Sequence, residues 1–224
     1  MKGKISEIFE STQGEGIYFG EKQLFIRFFG CNLSCNFCDT KLKDFKEYEA
    51  SELFEKIKSF QGLYHSISFT GGEPLFQKEF LKEALTYTGK FGYINYLETN
   101  GTLPLELSEV IGRLDIVAMD LKMPSSIGYD GELWDKHRDF LKIASRKEVF
   151  LKSVICEATN EDDLKEALTL IREVNRSAVL VLQPNSRQEN QALAEKIERF
   201  KEIALTYNIT TCVIPQLHKA IGIE

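Results

Sequence analysis

The chain has 224 residues, 28 Lys+Arg against 34 Asp+Glu for a formal charge of −6, and is 43% apolar and 28% charged. That is the composition of a folded domain large enough to bury its own core, and it excludes a disordered chain. A mildly acidic sequence without a basic run is no electrostatic binder of nucleic acid or anionic membrane, and no apolar run approaches the ~18 residues of a membrane span.

Seven short apolar, β-branched or aromatic runs read as strands: 24–29, 66–69, 93–97, 115–119, 149–155, 179–182 and 211–214. Between them lie stretches with helical spacing. Leu53, Phe54, Ile57 and Phe60 share one face behind Ser51 as a predicted N-cap. Asn160 and Asp163 form a capping pair ahead of Leu164, Ala167, Leu168 and Ile171. A further amphipathic run extends from Gln188 to about Tyr207.

Strand and helix in alternation predict βα units on a parallel sheet. Six or so units are too few for a full eight-stranded barrel of ~250 residues, so the fold class is α/β, either an open partial barrel or a doubly wound sheet. Periodicity does not choose between them. No linker, repeat or low-complexity tract divides residues 1–224, which are read as a single domain. In either architecture chemistry collects at the carboxyl ends of the strands. Glycine and polar residues end the apolar runs there: Gly30-Cys31, Thr70 with Gly71-Gly-Glu-Pro74, Glu98-Thr-Asn-Gly101, Asp120-Leu-Lys122 and Gln183-Pro184.

The first ten residues carry lysines but no apolar segment ahead of Glu7 and Glu10, unlike a secretory signal. Five cysteines, three of them within eight residues, then read as metal chemistry in a reducing cytoplasm. Cys31, Cys35 and Cys38 form a C-x3-C-x2-C run, and soft thiolates suit zinc or iron–sulfur clusters. A structural zinc site needs four ligands, and no further Cys or His follows within about twenty residues, although Asp39 could complete such a site. Cys156 and Cys212 fall inside predicted strands and read as small buried apolar residues.

The triad spacing resembles that of the radical S-adenosylmethionine enzymes, with Phe37 before the last cysteine and Gly71-Gly-Glu-Pro74 after the second strand. The resemblance implies a 4Fe-4S cluster with one iron open to S-adenosylmethionine, whose reductive cleavage yields a 5′-deoxyadenosyl radical. The residues are suited to this: glycine lets backbone approach a ligand, and Glu73 offers an acceptor for an ammonium group.

The substrate class comes from other segments. Thr12-Gln13-Gly14-Glu15-Gly16 precedes the first run, and Gln13 and Glu15 have the groups to read a guanine-like edge. Arg27 interrupts an apolar run, where it is either ion-paired or aimed into a lumen to hold a carboxylate. Together with Cys38-Asp39-Thr40, Asp120 to Ser126, Gln183-Pro184 and the final Gln216-Leu-His-Lys segment, these closely resemble the 7-carboxy-7-deazaguanine synthase family over essentially the whole chain.

That resemblance implies an open (β/α)6-type barrel, a homodimer, and 6-carboxy-5,6,7,8-tetrahydropterin as substrate. Mg²⁺ carries over to Thr40. S-adenosylmethionine binding carries over to Phe37, Cys38, Asp39, Gly72, Glu73, Pro124, Ser125, Ser126, Gln183, Pro184, Asn185 and Ser186. Substrate binding carries over to Thr12, Gln13, Gly14, Glu15, Arg27, Thr70 and the terminal Glu224. An electron donor such as flavodoxin is the implied partner. His218 reads either as a base or as a packing residue; His65 and His137 receive no role, and Trp134 reads as core or interface. The rival readings are a glycyl-radical-enzyme activase and a non-catalytic iron–sulfur or zinc module. The activase gives no reason for Gln13, Glu15 and Arg27 to converge, and the module has no need of Gly71-Gly-Glu-Pro74, glycine-rich strand ends or an unligated iron.

Overall fold

A computed structural model describes residues 1–38, 42–129 and 133–215. Asp39, Thr40, His218 and Glu224 lie outside the described residues.

All seven predicted runs are strands of one sheet: β2 (Lys22–Phe28), β4 (Ser66–Gly71), β5 (Asn95–Thr99), β6 (Ile116–Asp120), β7 (Glu148–Ile155), β8 (Leu180–Pro184) and β9 (Thr211–Val213). They are mutually parallel, and each lies beside its successor. The sequence did not announce β1 (Lys2–Thr12) and β3 (Lys46–Glu49), which add antiparallel to the β2 edge. The sheet order is β3-β1-β2-β4-β5-β6-β7-β8-β9, open at both ends.

That order decides the architecture. Every parallel crossover steps the same way, so there is no switch point of the doubly wound kind, and right-handed crossovers place the helices on one face. These are α1 (Ala50–Lys58), α2 (Lys78–Lys90), α3 (Pro104–Val110), α4 (Pro124–Ile127), α5 (Trp134–Ala144), α6 (Glu161–Val174) and α7 (Gln191–Thr206). The result is the open partial barrel.

The pleat sorts residues between two cores. On β2, Leu24, Ile26 and Phe28 enter the large core shared with the helices, while Phe25 and Arg27 face the lumen. The floor of the lumen is a smaller cluster of Tyr96, Ile116, Ala118, Phe150 and Val181, with Tyr18, Cys212 and Ile214 packed on it. Cys212 therefore packs with apolar neighbours, and Cys156 is buried at the end of β7. Trp134 packs against the large core.

Capping confirms one expectation and corrects another. The Asn160 side chain accepts the Asp163 N–H at 2.8 Å, ahead of α6, an interaction typically contributing about 1 kcal/mol. α1 begins earlier than predicted: its N-cap is Glu49, in a reciprocal capping box with Glu52, and not Ser51. Glutamate at the cap was not expected because its longer side chain is a less usual partner for the first-turn amides.

Candidate active site in the barrel lumen

The carboxyl ends of β2 and β4 to β8, the segment after β1 and the cysteine loop surround one cavity of about 1210 Å³. Its wall includes Thr12, Gln13, Gly14, Glu15, Arg27, Cys31, Cys35, Phe37, Cys38, Thr70, Gly72, Gln183 and Asn185. Residues as far apart as Glu7 and Asn185 thus meet where a parallel barrel collects its chemistry. The volume exceeds that of an ordinary single-ligand pocket, leaving room for a cofactor and a small substrate together.

The cysteine loop is fastened to the end of β5. Asn100 Nδ2 donates to Asn32 Oδ1 at 2.8 Å, and Asn32 Nδ2 donates to Thr102 Oγ1 at 2.9 Å. The Leu33 N–H lies 3.4 Å from Cys31 Sγ, and Asn100 Nδ2 lies 3.8 Å from it. Burial raises the Cys31 thiol and pushes Cys35 up to about 11. Among the described residues, no three His, Cys, Asp or Glu side chains converge on one ion-sized point. Three soft donors on one loop nonetheless suit a multi-iron cluster, which spreads its thiolates over several metals.

Gly71 and Gly72 let two strand ends come together on the cavity wall. A Cβ on Gly72 would lie 1.9 Å from the Gly30 carbonyl oxygen, so the missing side chain admits neighbouring backbone on the cavity wall. Gly71 adopts φ +121°. The Glu73 N–H then donates to Gly30 O at 2.8 Å, joining the end of β4 to that of β2.

Glu73 is engaged internally. Its side chain is fully buried and off the cavity wall. The carboxylate accepts from Leu75 N (3.1 Å), Thr99 Oγ1 (2.9 Å) and Asn100 N (2.7 Å). Burial raises its pKa to about 7 despite these donors. It fastens strand ends together.

Gln13 is also spent internally. Its Nε2 donates to Gln23 Oε1 at 2.9 Å and to Glu98 Oε1 at 2.7 Å, while its Oε1 accepts from the Glu15 N–H at 3.0 Å. Gln23 in turn donates to Ser66 Oγ at 2.9 Å. Thr70 donates to the other Glu98 oxygen at 2.6 Å. Both Glu98 oxygens are thereby fixed, and the carboxylate stands on the cavity wall.

Arg27 Nε lies 2.6 Å from Glu7 Oε2 on β1, an ion pair by proximity without an aligned hydrogen bond. Its guanidinium also lies 5.3 Å from the centre of the Phe9 ring. Across the lumen, Lys122 Nζ is 2.7 Å from Asp120 Oδ2 and 5.1 Å from the centre of the Phe37 ring. Lys152 pairs with Glu15 and lies 3.6 Å from Asp120 Oδ2. Burial works against the charge of both lysines, but the neighbouring carboxylates outweigh it and raise their pKa values. Gly16 seats this loop: its φ is +70°, and a Cβ would lie 2.6 Å from the Phe150 ring.

Several expected cofactor residues are off the wall. The Ser125 N–H donates to Asp163 at 2.7 Å and its hydroxyl donates to the same oxygen at 2.5 Å. Ser126 Oγ is 2.7 Å from Thr159 Oγ1. Pro124, Pro184 and Ser186 likewise do not line the cavity, whereas Gln183 and Asn185 do. Gln183 is completely buried, with neither Nε2 nor Oε1 hydrogen-bonded, and Asp120 Oδ1 is also unpartnered. Such orphaned groups on a cavity wall fit a polar ligand. His137, given no role from sequence, is buried with its ring nitrogens 3.0 Å from Gly101 O and 3.2 Å from Lys122 O, bridging two strand-end loops.

Residues 25–197 match the model of the Radical SAM superfamily. A 7-carboxy-7-deazaguanine synthase from Geobacter sulfurreducens is 34% identical over 98% of this chain and 97% of its own length. One from Archaeoglobus fulgidus is 35% identical over 100% of both. Among solved structures, QueE from Escherichia coli superposes with a TM-score of 0.65 at 19% identity, covering 95% of this chain and 93% of that one. A domain of a pyruvate-formate lyase-activating enzyme from Bacteroides vulgatus has a TM-score of 0.54 at 19% identity, covering 66% of this chain and 98% of that one. Both structures share the fold, and fold alone does not separate the two activities. Sequence likeness does: the chain belongs to the 7-carboxy-7-deazaguanine synthase family of the radical S-adenosylmethionine superfamily, a membership that implies a 4Fe-4S cluster and S-adenosylmethionine.

Proposed function

We propose that the chain converts 6-carboxy-5,6,7,8-tetrahydropterin to 7-carboxy-7-deazaguanine with loss of ammonia, a step toward queuosine and related 7-deazapurines. The observation that carries this reading is the convergence of Arg27, Thr70, Glu98 and the 12–16 loop on the cavity that also takes the cysteine loop. When bound, the cluster and S-adenosylmethionine supply a 5′-deoxyadenosyl radical for hydrogen abstraction. Cys31, Cys35 and Cys38 would hold the cluster. Phe37, Asn185 and the unpartnered Gln183 amide would position the cofactor.

The remaining work falls to the lumen. Arg27 presents a planar cation suited to the substrate carboxylate. Glu98, held by Gln13 and Thr70, presents a carboxylate that does not need to reorganise. The apolar floor of Tyr96, Ala118 and Phe150 excludes water from beneath the ring.

Mg²⁺ at Thr40, cofactor contacts at Asp39 and substrate contact by the Glu224 carboxylate belong to the same reading, as do a flavodoxin-type donor, a homodimer and a cytoplasmic location. They rest on the family resemblance. Among the described residues, no helix is long and apolar enough to cross a membrane.

The test is an anaerobic assay of reconstituted protein with reductant, S-adenosylmethionine, Mg²⁺ and the pterin, following 5′-deoxyadenosine and 7-carboxy-7-deazaguanine together by mass spectrometry. Both products are expected. 5′-Deoxyadenosine alone would leave the cofactor chemistry standing and overturn the substrate. Neither product, from iron-replete protein, would overturn both.

A further inference from the structure

A guanine-like or pterin edge presents a carbonyl oxygen beside ring and exocyclic N–H groups. Reading it takes one donor next to one acceptor. The sequence suggests the Gln13 amide as donor, but that amide is occupied by Gln23, Glu98 and the Glu15 N–H. The donor must come from elsewhere on the wall.

Lys152 supplies one. It leaves β7 into the lumen between Phe150 and Val154, two apolar residues on the same face. Its side chain is 14% exposed, and among the described residues its one hydrogen bond goes to Glu15. Asp120 Oδ2 lies 3.6 Å away, beyond hydrogen-bond reach, and already receives Lys122 at 2.7 Å. An ammonium has three N–H donors. A buried ion pair contributes less to stability than apolar packing of the same volume commonly would, so this charge between Phe150 and Val154 points to a ligand. Glu15 is placed beside it by the turn at Gly16, which packs on Phe150.

We propose that Lys152 donates to the ring carbonyl oxygen of the substrate heterocycle, beside the Glu15 carboxylate that accepts from the adjacent ring N–H, and so sets the preference for an oxo over an amino group at that position. This rests on the pterin reading above. It makes Lys152 a specificity-determining residue.

The test is anaerobic equilibrium binding to the cluster-loaded enzyme of two ligands, 6-carboxytetrahydropterin and its analogue with an amino group replacing the ring oxygen. A charge-assisted hydrogen bond gained by one ligand and lost by the other corresponds to roughly a 10- to 100-fold preference, which is expected for the parent enzyme. Lys152→Arg keeps N–H donors and should keep the preference. Lys152→Gln carries an amide that can donate or accept by turning over, so the ratio should fall by the share that Lys152 supplies, the Glu15 carboxylate still favouring the ring N–H of the oxo ligand. The double variant Glu15→Gln, Lys152→Gln removes both charges together and gives the same comparison if the single variant does not fold. An unchanged ratio in the Gln variants, or equal weakening of both ligands, would overturn the assignment of Lys152 and leave the pterin reading intact. A parent enzyme that bound neither ligand would overturn the pterin reading and this inference with it.

Discussion

The Glu73 carboxylate accepts the Asn100 main-chain N–H at 2.7 Å, clamping the turn after β4 to the turn after β5. The same side chain serves Leu75 N and Thr99 Oγ1. Glu73→Ala would leave three donors without their acceptor at a fully buried position. With about 1–3 kcal/mol for each unsatisfied group, a loss of about 3 kcal/mol or more is expected. For a chain of this size that is a fall in melting temperature of roughly 6–12 °C. Thermal melting of the cluster-free protein checks it; a shift of under a degree or two would mean that Glu73 does not fasten the strands.

Glu73 and His137 titrate in opposite senses. Burial lowers the His137 imidazole from 6.5 to about 4. Between those values the unfolded chain binds more protons, so its contribution to stability is full above 6.5 and is lost as pH falls, roughly 3 kcal/mol in all. Burial raises Glu73 from 4.5 to about 7. There the folded chain binds more protons, so its contribution is full below 4.5 and is lost as pH rises. The slopes oppose one another between pH 4.5 and 6.5. Glu73→Gln removes one of them, so the stability of the variant relative to the parent should climb from pH 4.5 to 7 in urea titrations. A difference independent of pH would show that Glu73 ionises normally.

The seven parallel strands were legible because strands buried on both faces are continuous apolar runs. β1 was not. Its polar residues alternate irregularly as Lys2-Gly-Lys-Ile-Ser-Glu-Ile-Phe-Glu, since it is an edge-side antiparallel strand with much of its surface outside the core. Arg27 stood out as a charge within an apolar run, and Lys152 offered the same signal in Val149-Phe-Leu-Lys152-Ser-Val. It was missed because no motif adjoined it. The internal use of Gln13 and Glu73 was illegible for another reason: their partners Gln23, Glu98 and Asn100 are brought to them only by the sheet register.

Arg27 should be separable from the cofactor chemistry. Nε lies close to Glu7 without an aligned hydrogen bond, and the guanidinium offers a planar fork of N–H donors that lysine cannot reproduce. Arg27→Lys is expected to raise the KM for the pterin about tenfold or more, while 5′-deoxyadenosine is still formed. Glu7 is more than half exposed, and solvent screens its pairing. Glu7→Gln should therefore change KM by less than about threefold. Parallel KM measurements on the two variants decide this, and an unchanged KM in Arg27→Lys would remove that residue from the substrate site.

The two classes of cysteine should part cleanly on iron binding. Cys31, Cys35 and Cys38 share one cavity-lining loop, whereas Cys156 is buried and takes an N–H from Asn185 at 3.4 Å, and Cys212 packs at the lumen floor. Cys31→Ala, Cys35→Ala and Cys38→Ala should each lose the visible absorption of the reconstituted cluster together with turnover. Cys156→Ala and Cys212→Ala should retain both. The raised thiol pKa values of Cys31 and Cys35 add a second readout. These groups are protonated at neutral pH and must release protons on binding iron, so reconstitution should acidify a weakly buffered solution and proceed more readily as pH rises from 7 to 9. The Cys156 and Cys212 variants should acidify it as the parent does, and the Cys35 variant less. If Cys35→Ala released as many protons as the parent, its thiol would not be a cluster ligand.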